Sequence, residues 1–482
     1  MDEQQVDDLV RTVRQKSQLE LAFPPRATGE ARSDTAEASE IRTARAGPES
    51  SMMVGVTMEA VVVGDNLRRA LAQVRRNRGA PGIDGMTIDD LAAYLKDRWT
   101  QIRGQLLDGS YRPQPVRRVE IPKASGGTRA LGIPTVLDRF VQQAVLQVLQ
   151  ADWDPSFSEA SFGFRPGRSA HQAVARAQEH IAAGYGWVVD LDLEKFFDRV
   201  NHDILMGLVA KRVEDRRIRR LIRGFLTAGV LTGGLVSPTE EGTPQGGPLS
   251  PLLSNVMLNE LDRELERRSH RFVRGACPRA AHSADPGADD CNIYVRSRRA
   301  GERVMASVER FLTRRLKLKL NTAKSAVDRP VARQFLGFSF TSEKEPRRRL
   351  APQTLARFRK RVRELTRRTC GRSLAQTVAG LARYLKGWRA YFGFCQTPSV
   401  LGKLTPWIRR RLRCLVWVQW KRGSTRYKAL RQRGVGHVLA ANTAGSCRGP
   451  WRLSNSSAMT IAFPNAIFAA LGLPSLEPTR HA

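Results

Sequence analysis

Two acidic clusters hold the residues whose types and spacing could do chemistry. In Trp187-Val188-Val189-Asp190-Leu191-Asp192-Leu193-Glu194-Lys195-Phe196-Phe197-Asp198 an apolar, β-branched run passes into an alternation of leucines and acids. A strand there would put Asp190, Asp192 and Glu194 on one face and Leu191 and Leu193 on the other. Packing carboxylates this closely is costly unless something neutralises them, and a divalent cation such as Mg²⁺ takes oxygen ligands. A second pair, Asp289-Asp290, stands between the apolar runs Arg271-Phe272-Val273 and Ile293-Tyr294-Val295. Acids at adjacent strand tips are what two-metal phosphoryl transfer requires, one ion activating the attacking oxygen and the other stabilising the leaving one. Asp289-Asp290 taken alone could equally be a solvated loop.

Elements must hold these residues in place, and composition bounds them. The chain has 482 residues, 80 Lys+Arg against 46 Asp+Glu, and a formal net charge of +34. Such an excess points to a polyanion, most simply nucleic acid. The charge is uneven: residues 1–50 hold seven Arg/Lys and ten Asp/Glu, whereas 351–430 hold twenty Arg/Lys and the single acid Glu364. Six scattered cysteines without a C-x-x-C pair argue against a disulfide scaffold or structural zinc. No apolar run approaches a membrane span, and the acidic start does not read as a signal peptide. The expected setting is a reducing, aqueous compartment.

Residues 1–60 lack a sustained apolar period, and 26–51 read as disordered. Order is expected from the amphipathic helix at Asn66-Leu67-Arg68-Arg69-Ala70-Leu71, with Thr87 capping the next helix. Residues 111–123 and 129–134 read as a hairpin turning at Ser125-Gly126-Gly127, with Lys123 and Arg129 flanking the turn. Two such cations could clamp a triphosphate or be ordinary surface charge. A buried helix is expected over Asp138–Leu149. In Phe157–Ser169 aromatics interleave with arginine and glycine, which suits stacking on a nucleic-acid strand or core aromatics beneath a turn.

These blocks occur in an order that resembles the group II intron-encoded reverse transcriptase/maturases of bacteria. Ile121-Pro122-Lys123, Arg129, Leu131-Gly132-Ile133-Pro134 and Ser161-Phe162-Gly163-Phe164-Arg165-Pro166-Gly167 look like that family's fingers. Asp192-Leu193-Glu194-Lys195-Phe196-Phe197-Asp198 resembles its first catalytic motif, which implies metal ligation by Asp192 and the Leu193 carbonyl, and a wall against the 2′-OH at Phe197. Gly242-Thr243-Pro244-Gln245-Gly246-Gly247-Pro248 is similar to its Pro-Gln-Gly loop, with Gln245 near the primer or nucleotide and glycines allowing close approach to the nascent base pair. Leu318-Lys319-Leu320-Asn321-Thr322-Ala323-Lys324 matches the block whose lysine lies near the pyrophosphate. Phe335-Leu336-Gly337-Phe338 resembles the primer grip. Leu381–Phe392 and the cationic Trp407-Ile408-Arg409-Arg410-Arg411-Leu412-Arg413 resemble the thumb/maturase domain.

The resemblance covers roughly 60–480 and implies an α+β right-hand polymerase fold. Fingers and an antiparallel palm would occupy 61–345, a helical thumb/maturase domain 346–440, and a maturase extension 441–482. Asp192, Asp289 and Asp290 would be catalytic, holding two Mg²⁺ ions together with Leu193. Lys123, Arg129, Phe197, Gln245 and Lys324 would bind substrate. Arg165, Arg168, Arg389, Arg409, Arg410 and Arg411 would contact RNA; Trp388, Tyr391 and Trp407 read better as packing residues than as stacking ones. Implied partners are group II intron RNA, an RNA template with a DNA primer, dNTPs and target DNA, with no membrane; a homodimer is compatible with the reading. The implied setting is the bacterial cytoplasm, on nucleoid or RNA. No nuclease-like segment comes after the maturase extension, so the family's optional endonuclease domain is expected to be absent.

One departure stands out. Where the family has one aromatic before Ala-Asp-Asp, residues 275–287 are interposed before Ala288-Asp289-Asp290, rich in Gly, Ala and Pro. Closing such a loop costs a few kcal/mol in chain entropy, but the carboxylates need placement to within about 0.5 Å. This leaves two alternatives to an active intron polymerase: a splicing-only RNA-binding maturase with an impaired polymerase, and a reverse transcriptase working outside introns.

Overall fold

The computed structural model describes residues 55–477, apart from 123–127, 233–234, 240, 244–245, 277–289 and 370. It forms two compact units that divide between Ala351 and Pro352.

In the first unit order begins earlier than the amphipathic pattern predicts. A short helix α1 (Met58–Val61) is capped by Thr57, and Met58 and Val61 lie in the core. Helix α2 (Gly64–Asn77) comes next, then α3 (Leu91–Asp108). Thr87 does not cap α3: its hydroxyl donates to the Asp90 carboxylate at 2.6 Å, and Asp90 holds the cap position. The expected hairpin is present as β1 (Val116–Pro122) and β2 (Thr128–Ile133), with Ile121 opposite Arg129. The buried helix is α4 (Val136–Trp153), then come α5 (Ala170–Ala182) and β3 (Trp187–Leu191).

Further on are α6 (His202–Ala210), α7 (Arg216–Thr227), β4 (Val230–Thr232), β5 (Leu235–Ser237) and α8 (Ser250–Arg267). The unit closes with β6 (Arg271–Gly275), β7 (Asp290–Val295), α9 (Arg298–Phe311), β8 (Ala326–Asp328), β9 (Phe338–Phe340) and β10 (Arg348–Leu350). One sheet runs β2-β1-β4-β5 and includes a parallel pairing of β1 with β4. A second sheet, β6-β7-β3-β8, is antiparallel throughout. Its Val189, Leu191, Cys291 and Ile293 are buried in the core shared with α4 and α8. Apolar burial of this kind is the main stabilising term, at ~25 cal/mol per Å².

The second unit is helical: α10 (Pro352–Leu365), α11 (Leu374–Phe392), α12 (Ser399–Gln419), α13 (Gly423–Gln432) and α14 (His437–Ala444), then shorter turns. Helix α11 starts in a capping box formed by Ser373 and Gln376. Its Trp388 is buried, with its ring 4.4 Å from that of Phe358, and Tyr391 is buried too. Trp388 and Tyr391 are therefore packing residues, while Trp407 is half-buried. Among the described residues no helix is long and apolar enough to cross a membrane.

Candidate active site

The three carboxylates after Val189 do not share one partner. Asp190 receives two hydrogen bonds from Arg333, at 2.6 and 2.9 Å, and Glu194 pairs with Arg199 at 3.1 Å. Asp192 faces the Lys324 ammonium at 3.4 Å. Each acid thus has a basic side chain of the protein beside it. Burial pushes the Asp190 carboxyl upward, against the pull of Arg333. Of the three, only Asp192 combines an accessible carboxylate with an exposed lysine partner: its side chain is 26% exposed and that of Lys324 58%.

The segment bearing Lys324 also holds Asp192 through the backbone. The Asp192 N–H donates to Ser325 Oγ at 3.0 Å, and the Asn321 N–H donates to the Asp192 carbonyl at 2.8 Å. Leu193 bridges Leu320, yet the bonds of that bridge are made by its neighbours: Asn321 to Asp192, and Glu194 to Lys319. The Leu193 carbonyl takes no part in them. Ser325 and Arg333, which also donates to the Lys324 carbonyl, position the site without being legible as its members. They lie more than 130 residues from β3, and no local pattern marks them.

Strand register supplies the second carboxylate. Leu191, the last residue of β3, pairs with Cys291 of β7, so Asp192 and Asp290 are the next residues beyond that pair on the two strands. On its other side Asp290 pairs with Gly275. Gly275, expected to begin the interposed segment, is therefore the last residue of β6, and the two strands stay paired up to that point. A Cβ on Gly275 would lie 2.8 Å from Leu336 Cδ1, so the Phe335–Phe338 turn packs close against the end of β6. The remaining interposed residues from 277 onward, and Asp289 with them, lie outside the described residues.

A buried cluster holds the end of β6. The Arg274 guanidinium donates to both Asp262 oxygens at 2.7–3.1 Å, to Asn255 Oδ1 at 2.9 Å and to Ser161 Oγ at 2.7 Å. Arg274 and Asp262 are both fully buried. Two residues of the Ser161–Gly167 block join this assembly: Ser161 through its hydroxyl, and Gly163 through its carbonyl, which accepts from Asn255 at 2.8 Å.

The nucleotide-side blocks adjoin one another. Lys195 adopts a left-handed conformation (φ 50°) and turns the chain into the 3₁₀ turn Phe196–Asp198. Thr243 N–H donates to the Phe197 carbonyl at 2.6 Å, and a Cβ on Gly242 (φ 94°) would lie 2.9 Å from that oxygen. A Cβ on Gly246 would lie 2.6 Å from the Gly132 carbonyl, and one on Gly247 would lie 2.4 Å from Gln142 Oε1. Gly242 and Gly246 thus closely approach the protein's own backbone, and Gly247 approaches the end of the Gln142 side chain on α4. Arg129 lies on β2 and Phe197 is half-buried; Lys123 and Gln245 lie outside the described residues.

The arginines divide. Arg165 is buried, bonded to the Asp154 carboxylate and to the carbonyls of Asp154, Ser158 and Ser161, so it faces inward and offers nothing to a strand. Phe157 and Phe162 are buried as well, whereas Phe164 is 38% exposed. Arg168 pairs with Glu159 over the Phe162 ring. In the second unit Arg410 stacks on Trp451 and donates to its carbonyl at 2.9 Å. Arg411 donates to Thr366 Oγ1 at 2.7 Å, and burial lowers its pKa. Both are half-buried and tied to groups of their own unit. Arg389 donates to the Ser475 carbonyl at 2.9 Å, and Arg409 is half-buried.

Among the described residues no group of three or more His, Cys, Asp or Glu is placed to hold a metal. Asp192, the Leu193 carbonyl and Asp290, which stands next to Cys291 on the strand paired with β3, offer oxygen donors that fit a hard divalent cation.

The model for Reverse transcriptase (RNA-dependent DNA polymerase) matches residues 121–340, and that for Group II intron, maturase-specific domain matches 355–434. Together they cover more than half of the chain. Protein YkfC of Escherichia coli (strain K12) is 38% identical over 203 residues, 41% of this chain and 53% of that protein. Group II intron-encoded protein LtrA of Lactococcus lactis subsp. cremoris is 39% identical over 176 residues, 34% of this chain and 29% of LtrA. The matches thus span about half of YkfC and under a third of LtrA. A chain of a solved partial Cas6-RT-Cas1–Cas2 complex is 23% identical at a TM-score of 0.34, over 53% of this chain and 42% of that one, a likeness too weak to build on. With both domain types in consecutive order along it, the chain belongs to the group II intron-encoded reverse transcriptase/maturase family.

Proposed function

We propose that the chain is an RNA-directed DNA polymerase and intron maturase that copies RNA into DNA with two Mg²⁺ ions and binds group II intron RNA to assist splicing and mobility. The observation that carries this reading is that two segments distant in sequence reach the Asp192–Asp198 block: the Lys324 segment, through its salt bridge to Asp192, and β7, whose Cys291 beside Asp290 pairs with Leu191. In this reading the sheet β6-β7-β3-β8 is the palm, β1 and β2 belong to the fingers, and the second unit is the thumb/maturase domain.

Asp192, Asp289, Asp290 and the Leu193 carbonyl would hold the ions. When bound, such ions supply activation of the attacking oxygen and stabilisation of the leaving one. Lys324 holds Asp192 until then and is released toward the phosphates of the incoming nucleotide. Lys123 and Arg129 grip the triphosphate, Gln245 meets the primer or nucleotide, and Phe197 excludes a 2′-OH by steric clash. Catalysis rests on positioning and charge neutralisation. Arg168, Arg389 and Arg409 are the arginines retained for RNA contact. The strand pairing of Gly275 with Asp290 supports a polymerase that tolerates the interposed segment.

The test is primer extension on an RNA template with dNTPs and Mg²⁺, using the chain as it stands, Asp192→Ala, and a variant with 276–287 replaced by one Tyr. Extension by the unmodified chain that Asp192→Ala abolishes supports the reading. Extension by the shortened variant alone would make the segment a lesion and leave RNA binding as the surviving activity.

A further inference from the structure

The sheet that carries Asp192 and Asp290 has an opposite end, where β6 starts and β7 stops. There a cleft of about 690 Å³ lies between the strand ends and α9. Arg271, Arg296, Arg303 and Arg310 line it, and no carboxylate does. All four are exposed. Four nearby acids are engaged elsewhere, Glu179 with Arg176, Glu264 with Arg267 and Arg268, Glu302 with Arg298, and Asp262 with Arg274, while Glu309 on α9 does not line the cleft. Among the described residues none of the four arginines has an ion-pair partner.

Four like charges around one concavity repel one another unless an anion joins them. Arg303 and Arg310 stand two helical turns apart, about 10 Å along α9, a row long enough for more than one phosphate. Arg296 is held over the Tyr185 ring at 5.4 Å, which pre-orients its fork. His180, with its ring 5.4 Å from that of Tyr294, is pushed down to about 4 by burial and then by Arg176 and Arg271, so the positive field reaches the sheet behind the cleft. Guanidinium forks match phosphate oxygens in bidentate geometry.

We propose that this cleft is a binding site for the phosphodiester backbone of an RNA strand, separate from the carboxylate end of the same sheet. It deepens the polymerase and maturase function proposed for the chain and rests on that reading.

The test titrates the full chain with labelled oligouridine across a KCl series. Arg303→Ala/Arg310→Ala should weaken binding about tenfold and reduce the salt slope by roughly 1–2. The control, Arg299→Ala/Arg314→Ala, removes the same charge from exposed positions outside the cleft and should lose less than half as much. All four substituted side chains are exposed, so the fold should persist, with circular dichroism as the check. Equal losses in the two variants, or none in the first, overturn the site and leave the proposed function standing. No binding by the unmodified chain overturns both.

Discussion

At the carboxylate end of the sheet β6-β7-β3-β8, Asp190, Asp192 and Glu194 each have a basic side chain of their own. At the other end Arg271, Arg296, Arg303 and Arg310 surround a cleft that no carboxylate lines. One pair of strands, β6 and β7, reaches both ends. The difference teaches how a chain of net charge +34 keeps an acidic site: internal cations make the acids tolerable without a ligand, while the basic end is left for a polyanion. The interior shows a third arrangement. Asp138 is buried, pairs with no cation among the described residues, and accepts from Tyr111 at 2.9 Å, Gln114 at 3.0 Å and Thr135 at 2.8 Å.

The largest effect expected is on chemistry. Asp192→Ala should lower single-turnover primer extension by on the order of 10³, because several kcal/mol of charge stabilisation disappear. Wild-type rates in that variant would break the assignment of the acidic end.

Next comes stability along β6. Arg274→Ala should cost ~3–5 kcal/mol in urea unfolding, since it strands the buried Asp262 carboxylate. Arg271→Ala, on the same strand at its exposed end, should stay within about 0.5 kcal/mol. Similar losses for the two would erase the contrast between internal and ligand-directed arginines.

A pH series sharpens the third arrangement. Burial pushes the Asp138 carboxyl up to about 6, against its three donors. The folded state therefore binds this proton more tightly than the unfolded chain does. The associated stability is fully present below about pH 4 and is lost as pH rises through about 6, a change of roughly 2–3 kcal/mol. Urea midpoints for Asp138→Asn should be flatter across that window; an unchanged slope would assign it to other groups.

The smallest effect is expected in the second unit. Arg410→Ala should cost about 1 kcal/mol, through its lost hydrogen bonds to the Trp451 carbonyl. The salt slope of RNA binding should not change, and a reduced slope would return Arg410 to the RNA-facing set.

Local pattern made a good part of this molecule legible. The apolar, β-branched run marked β3, apolar residues marked α4, and the hairpin pattern marked the pairing of β1 with β2, because each signal lies within a few residues of what it specifies. The order of short blocks marked Asp192, Lys324 and the Phe197 turn, two of which meet directly at a salt bridge. The Gly242–Gly247 stretch was legible as a loop, but its neighbours were not: its glycines press against Phe197, Gly132 and Gln142. Such contacts depend on which distant backbone arrives, and no spacing within the loop records that.

The sequence by itself determined the chemistry available, namely oxygen donors in two clusters and a large basic excess, together with the family order of the blocks. Only the tertiary structure decided which charges remain available. Arg165, Arg274, Arg410 and Arg411 read alike as cations in the chain, yet each is bound to groups that folding brings to it: Asp154, Asp262, Trp451 and Thr366. Arg271, Arg296, Arg303 and Arg310 have no ion-pair partner among the described residues, Arg296 resting over the Tyr185 ring, and all four face one cleft. The physical reason is that an arginine's role depends on whether an acceptor lies within hydrogen-bond reach of its guanidinium. Long-range packing sets that distance, and residue type alone does not.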